Sequence, residues 1–325
     1  MPKSLKPPAL VPGAAVRIVA PASPVEESRL GKGCDELARI GYTPRWDPRV
    51  LAHKSYFAGS VEERLAVLAA AFDDYEAGAV ICARGGYGSS YLLDRLNPKR
   101  LRGPKILLGF SDISSLQIFL WQKLRWTGFY GPMAAAGFHA GAGAPGGYDA
   151  ESFARAVTET RRGWSIDLRG ETMLPGRDSG LILGGCLTMV LATLGTPWEL
   201  DTRGSILLLE DRGMRPFQVD RALMHLKQAG KLKGVRGFIF GEFPDCDGPP
   251  GSASVRDVVE RLIIPLGVPI VWGAAVGHTP RPILTIPLGV RARLVAQASG
   301  RLDILEPAVR EASKKSRGGR SSKSA

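Results

Sequence analysis

Three short apolar runs, 16–20 (VRIVA), 79–83 (AVICA) and 106–110 (ILLGF), constrain this chain more than any other feature. Each is followed by polar or Gly-rich residues, and helical patterns separate them, which is the signature of a parallel α/β sheet. The clearest helix opens at Ser60, where Glu63 three residues on completes a capping box, and runs through Arg64, Leu65, Val67 and Leu68 to near Tyr75. A second helix follows Phe110 with almost no loop and takes in Ile113, Leu116, Ile118, Phe119, Leu120 and Leu124.

At 325 residues, 44% of them hydrophobic, the chain is long enough for two domains. Residues 1–140 read as an N-terminal α/β domain. Residues 141–177 turn Gly-, Ala- and Arg-rich with little periodicity and read as the connection between domains. Apolar strands resume in a C-terminal β/α domain, 178–309, at 180–183, 205–209, 237–240 and 269–272. A β-like segment at 282–304 carries Arg291, Arg293 and Arg301 in alternation. The 216–230 stretch has Pro near its start and Gly just past its end, the punctuation of a helix. Residues 310–325 hold no apolar residue larger than Ala and are expected to be disordered.

The net charge is +12, but 310–325 alone holds six basic residues and one acidic, so the body carries +7. A surplus of that size suits a carboxylate substrate as well as nucleic acid and does not choose between them. The tail lacks interleaved aromatics, which argues against a nucleic-acid partner. The uncharged residues 128–148 contain seven Gly and two Pro, a poor membrane helix, and no membrane partner is expected. Pro7, Pro8, Pro12 and Arg17 break the early apolar stretch, so no signal-peptide core forms and a cytoplasmic location is expected. Cys34, Cys82, Cys186 and Cys246 are widely spaced and read as reduced thiols. His53, His139, His225 and His278 all lack HxxE or HExxH contexts, so no metal site is expected. Gly141, Gly143 and Gly146 match a dinucleotide loop, yet no strand precedes them and Pro145 interrupts, so no cofactor is expected either.

Four strand ends carry candidate chemistry. Arg84, Gly85, Gly86, Tyr87, Gly88 and Ser89 follow the run 79–83 directly, and their three glycines free the backbone to turn N–H groups toward an anion. A plain Gly-rich turn would read the same. Ser111 sits where the third apolar run turns straight into a helix, a position that lifts a hydroxyl above the sheet edge and sets the Asp112 N–H at a helix start. A serine there is more often a helix cap. Glu210 and Asp211 end the run 205–209, where sites of open α/β sheets assemble, though an acidic turn pairing with Arg212 or Arg215 is the plainer reading. His278 follows the apolar run 269–277, and a loop histidine is more often structural. Serine, acid and histidine in that chain order are used by one family of triad hydrolases.

These residues belong to longer motifs: YFAGSVEER at 56–64, ICARGGYGSSYLLDRL at 81–96, KILLGFSDISSL at 105–116, YGPM at 130–133, GGCLTMVLATLGTPWELD at 184–201 and LLLEDRGMRPFQVDRAL at 207–223. With them the chain resembles the LD-carboxypeptidase family of serine peptidases, which includes cytoplasmic murein tetrapeptide carboxypeptidases and microcin C self-immunity proteins. The resemblance implies a glutamine-amidotransferase-like (flavodoxin-like) N-terminal domain, a swivelling C-terminal β/α domain and a homodimer. It makes Ser111 the nucleophile, His278 the general base and Glu210 the residue that holds the base. The backbone N–H groups of Asp112 and Gly86 would form the oxyanion hole. Arg84, Gly85, Tyr87 and Arg212 are candidates for substrate contact. Cys186, Ser114 and the stretch 279–282 depart from the family pattern. The implied activity is metal-independent removal of D-alanine from murein tetrapeptides. The alternative is cleavage of a peptide–nucleotide or acyl-sulfamoyl adenylate, for which Trp164 and Trp198 could stack on the base. A second alternative is a non-catalytic nucleic-acid or muropeptide binding protein.

Overall fold

The structure, a computed structural model, describes residues 3–312. The chain opens with five strands, β1 (Ala15–Val19), β2 (Thr43–Trp46), β3 (Ala77–Cys82), β4 (Ile106–Gly109) and β5 (Gly128–Tyr130), and four helices, α1 (Glu27–Arg39), α2 (Val61–Asp73), α3 (Ser90–Leu93) and α4 (Ser114–Leu124). The strands pair in parallel in the order β2-β1-β3-β4-β5, the flavodoxin-like arrangement. The three apolar runs become β1, β3 and β4, each buried along nearly its whole length because helices cover both faces. The capping box at α2 forms as the sequence requires: Ser60 Oγ accepts from Glu63 N at 3.2 Å and Glu63 Oε2 accepts from Ser60 N at 2.8 Å.

The segment 141–177, expected as an irregular connection, instead carries regular structure: α5 (Ala150–Thr158), β6 (Trp164–Asp167) and β7 (Glu171–Leu174). Asp149 caps α5 by accepting from Ser152 N at 2.7 Å, and Phe153, Ala156 and Val157 bury its inner face. The helix is only nine residues long and each strand only four, so their periodicity is too short to stand out against the flanking Gly and Arg.

The second sheet continues with β8 (Gly176–Cys186), β9 (Ser205–Glu210), β10 (Gly237–Gly241) and β11 (Ile270–Ala274), accompanied by α6 (Leu187–Leu191), α7 (Pro216–Gln228) and α8 (Val255–Ile263). The chain then returns to the first sheet with β12 (Ile286–Leu288), which pairs antiparallel to β5, before β13 (Arg291–Ala296) and β14 (Arg301–Ile304) complete the second. The second sheet has the order β6-β14-β13-β8-β9-β10-β11-β7, with β8 to β11 parallel at its centre. The excursion of β12 means that 178–309 is not one contiguous unit. The predicted tail falls largely outside the described residues; of its members that are described, Arg310 donates its N–H to Pro7 O at 2.9 Å.

The two sheets share a seam. One apolar cluster runs from β1, β3 and β4 across to Ile182, Ile206, Leu294 and Ile304 of the second sheet, while the outer face of that sheet is buried beneath α7 and α8. At the seam Ser114 Oγ, in the first turn of α4, accepts from Cys186 N at 3.1 Å. Gly185 there has φ +139°, and a Cβ on it would lie 2.6 Å from Ser114 Oγ. Gly185→Ala is therefore expected to cost about 1–3 kcal/mol through strain and overpacking. A thermal melt that leaves the midpoint unchanged would contradict this close approach.

Candidate active site

Ser111 follows Phe110, whose backbone is extended (φ −144°, ψ −173°), and itself takes φ +63°. A non-glycine residue in that region is strained, and the strain turns the side chain sharply off the carboxyl end of β4. The serine caps no helix. The α4 N-cap is Ile113, and neither the short 3₁₀ turn at Ser111–Ile113 nor α4 has a side-chain cap. Gly85 passes so close that a Cβ on it would sit 2.9 Å from Ser111 Cβ and 3.1 Å from Oγ, so only glycine fits beside the hydroxyl.

The Gly-rich turn is fastened to this elbow by Asp112. Its buried carboxylate accepts from Ser89 N at 2.8 Å and Gly88 N at 3.3 Å, and its carbonyl accepts from Ser89 Oγ at 2.8 Å. Burial pushes the Asp112 carboxyl above its ordinary value, against the pull of these hydrogen bonds and of Arg64. Arg64, buried beneath the turn, donates to Gly88 O at 2.7 Å and Pro21 O at 2.6 Å. Gly86 has φ +107°, and among the described residues its N–H donates to no acceptor. The Asp112 N–H lies in the opening turn of a helix, where backbone donors lack partners within the helix.

From the second sheet, β9 ends in Glu210, which is fully buried. Its Oε2 accepts from His278 Nδ1 at 2.8 Å and from His278 N at 2.9 Å, and its Oε1 accepts from the Tyr130 hydroxyl at the end of β5. A carboxylate can only accept, so Nδ1 carries the proton and Nε2 is left as a base. Gly277 (φ +61°) and Gly241 make room for Glu210: a Cβ at 277 would overlap its carboxyl group, and one at 241 would lie 2.6 Å from its Cβ. Burial alone would lower the His278 pKa, but the attraction and hydrogen bond of Glu210 outweigh it and raise the value. Tyr130 is raised well above the ordinary phenol value by burial and by Glu210, so its hydroxyl stays a donor.

Ser111, Asp112, Gly85, Gly86 and His278 line one cavity of about 580 Å³, to which Arg84 and Arg212 also contribute. Glu210 lies behind His278. No hydrogen bond joins Ser111 Oγ to the His278 ring among the described residues, a looseness common in ligand-free sites. Arg212 pairs with Asp245 at 2.7 Å. Tyr87 does not line the cavity: its N–H bonds Ser23 Oγ at 3.0 Å, and its ring stacks on Phe57 at 5.9 Å. Trp164 is buried in the core and Trp198 packs against Phe119, so neither reaches the cavity. Among the described residues no group of three or more His, Cys, Asp or Glu is placed to hold a metal, and no helix is long and apolar enough to cross a membrane.

Tyr130 is the site residue that sequence reasoning passed over, its only signal being that YGPM ends the strand next to the serine strand. The buried pair fixes the sign of an expected titration. His278 should titrate above the ordinary 6.5 in the wild type, and below it in Glu210→Gln, where burial remains and the attraction is gone. Imidazole NMR shifts against pH check this; equal midpoints would contradict it.

A family description for the LD-carboxypeptidase N-terminal domain matches residues 16–131, and one for the LD-carboxypeptidase C-terminal domain matches residues 179–294. A Bacillus subtilis protein named "Probable murein peptide carboxypeptidase" is 34% identical over 293 residues, 89% of this chain and 91% of its own. A Pseudomonas aeruginosa protein named murein tetrapeptide carboxypeptidase is 31% identical over 270 residues, 81% and 87% of the two chains. The solved microcin C7 self immunity protein, in complex with aspartyl sulfamoyl adenosine, superposes with a TM-score of 0.84 at 21% identity, covering 94% of this chain and 99% of its own, a likeness of fold. With both halves of its length matched and such relatives aligned along most of it, this chain belongs to the LD-carboxypeptidase family.

Proposed function

We propose that the protein is a serine carboxypeptidase that removes the terminal D-alanine from murein tetrapeptides in the cytoplasm, with Ser111, His278 and Glu210 as its triad. The observation that carries this reading is the strained Ser111 elbow and the Glu210-held imidazole bordering one cavity from two different sheets. The names borne by the relatives point to the same substrate class.

In this mechanism His278 Nε2 takes the Ser111 proton as Oγ attacks the carbonyl carbon of the scissile amide. The resulting oxyanion is received by the N–H groups of Gly86 and Asp112, each worth about 3 kcal/mol of barrier lowering. The imidazolium, stabilised by Glu210, returns its proton to the departing amine, and D-alanine leaves. Water then attacks the acyl-serine ester, His278 accepts its proton, and the tripeptide acid is released with Ser111 restored. Arg84, which among the described residues donates from Nη1 to Pro24 O at 3.3 Å, stands beside Gly86, where its guanidinium would receive the terminal carboxylate. A homodimer belongs to this reading, and light scattering at twice 34.8 kDa would check it.

The test is release of D-alanine from L-Ala-γ-D-Glu-meso-diaminopimelate-D-Ala by the purified chain in EDTA. Turnover is expected to survive chelation and to fall about 10⁴-fold or more in Ser111→Ala. No release by a folded wild type, or release undiminished in the variant, would overturn the reading.

A further inference from the structure

Glu26 and Arg29 both line the catalytic cavity at the start of α1, both are exposed, and neither makes an ion pair among the described residues. Opposite charges three residues apart within a helix are neighbours. On the same helix Glu36 and Arg39, at the same spacing, do so at 2.6 Å. Glu26 is instead the extended N-cap residue (φ −72°, ψ 128°), which carries its side chain off the helical row and leaves two opposite charges apart at the cavity wall. The other charged groups of that wall are engaged or assigned. Asp112 is bonded to the Gly-rich turn, and Asp211 accepts from Thr188 N at 2.8 Å, Thr188 Oγ1 at 2.7 Å and Arg212 N at 2.8 Å. Arg212 pairs with Asp245, while Arg84 stands beside Gly86 for the terminal carboxylate. Arg29 also borders an adjoining lobe of about 340 Å³, where it and Lys32 push the His139 pKa down in addition to the larger effect of burial. Arg212 and Asp245 border that lobe as a pair, which leaves the Arg29 charge there for an anionic group.

We propose that Glu26 and Arg29 form a subsite for a free amino-acid group, the ammonium facing Glu26 and the carboxylate facing Arg29. Resting on the function proposed above, this assigns the subsite to the side chain of the residue before the terminal D-alanine, since diaminopimelate ends in such a group. Lysine at the same position offers the ammonium alone, so Arg29 is the residue that tells the two peptides apart. Glu26 and Arg29 are thus the residues that read the third side chain of the diaminopimelate tetrapeptide.

The test compares kcat/KM for D-alanine release by the wild type and Arg29→Gln on two tetrapeptides, one with the distal diaminopimelate carboxylate free and one with it converted to the carboxamide. The wild type should prefer the free acid by about 10- to 100-fold, the worth of one charged hydrogen-bonding contact. In Arg29→Gln that ratio should collapse toward unity, with the loss on the acid peptide appearing in KM rather than kcat. Glu26→Gln should likewise erase the preference for a free over an acetylated distal amine. A wild-type ratio near unity, or a ratio that Arg29→Gln leaves unchanged, would overturn the subsite while leaving the carboxypeptidase reading intact. Absence of release from both peptides by the folded wild type would instead overturn both.

Discussion

Everything in this site depends on a buried carboxylate that is fully satisfied. An ion removed from water costs several kcal/mol unless paired and hydrogen-bonded, and Glu210 is fully buried. It accepts from three donors, the Tyr130 hydroxyl from the first sheet and the N–H and Nδ1 of His278 beside the second. These three donors meet only where the two sheets have come together. Gly277 and Gly241 follow from the same constraint, because a Cβ at either position would displace the carboxylate. Breaking one partner of such a pair costs about 3–5 kcal/mol, mostly from the charge left behind, so stability and chemistry rest on the same atoms.

The serine and the imidazole arrive from different elements, and each is held separately. Ser111 is held in a strained backbone by what surrounds it: Asp112 ties the Gly-rich turn to the elbow, and Arg64 ties that turn to the loop after β1. His278 is oriented by Glu210 through two hydrogen bonds and packs edge-on against Phe110, the residue before the serine, at 5.3 Å. The Phe110 ring thus links the elbow to the imidazole across the seam. Because Ser111 belongs to one sheet and Glu210 to the other, the separation of hydroxyl and imidazole is set by how the sheets sit, while the His278–Glu210 geometry is not. Ser114, bonded to the Cys186 N–H at the end of β8, is one of the contacts that fix that relation.

The central strands were legible because a strand buried on both faces is a continuous apolar run, and β1, β3, β4, β9 and β10 all are. The α2 capping box was legible for a local reason, since all its atoms lie within four residues. Short elements were not: β12 has three residues and is a strand only because β5 offers it an edge, and α5, β6 and β7 hide among glycines and arginines. By residue type alone Ser111 reads as a helix cap and Glu210 as an acidic turn. What separates the readings is a positive φ and complete burial, neither of which local sequence states. Tyr87 shows the converse. A Gly-rich turn places its backbone near the site, but the ring follows its aromatic neighbours Phe57 and Tyr91 instead. Tyr130 escaped notice because its role exists only through a partner 80 positions away.

The role proposed for Ser111 at this seam is that of a nucleophile that carries the substrate acyl group. Rapid chemical quenching of the wild-type chain with its tetrapeptide, followed by intact mass and peptide mapping, tests it most directly. A transient adduct of the tripeptide acyl group is expected on the peptide containing Ser111, which added hydroxylamine intercepts as the tripeptide hydroxamate. An adduct mapped to another residue, or D-alanine release with no acyl group that hydroxylamine can intercept, would contradict it.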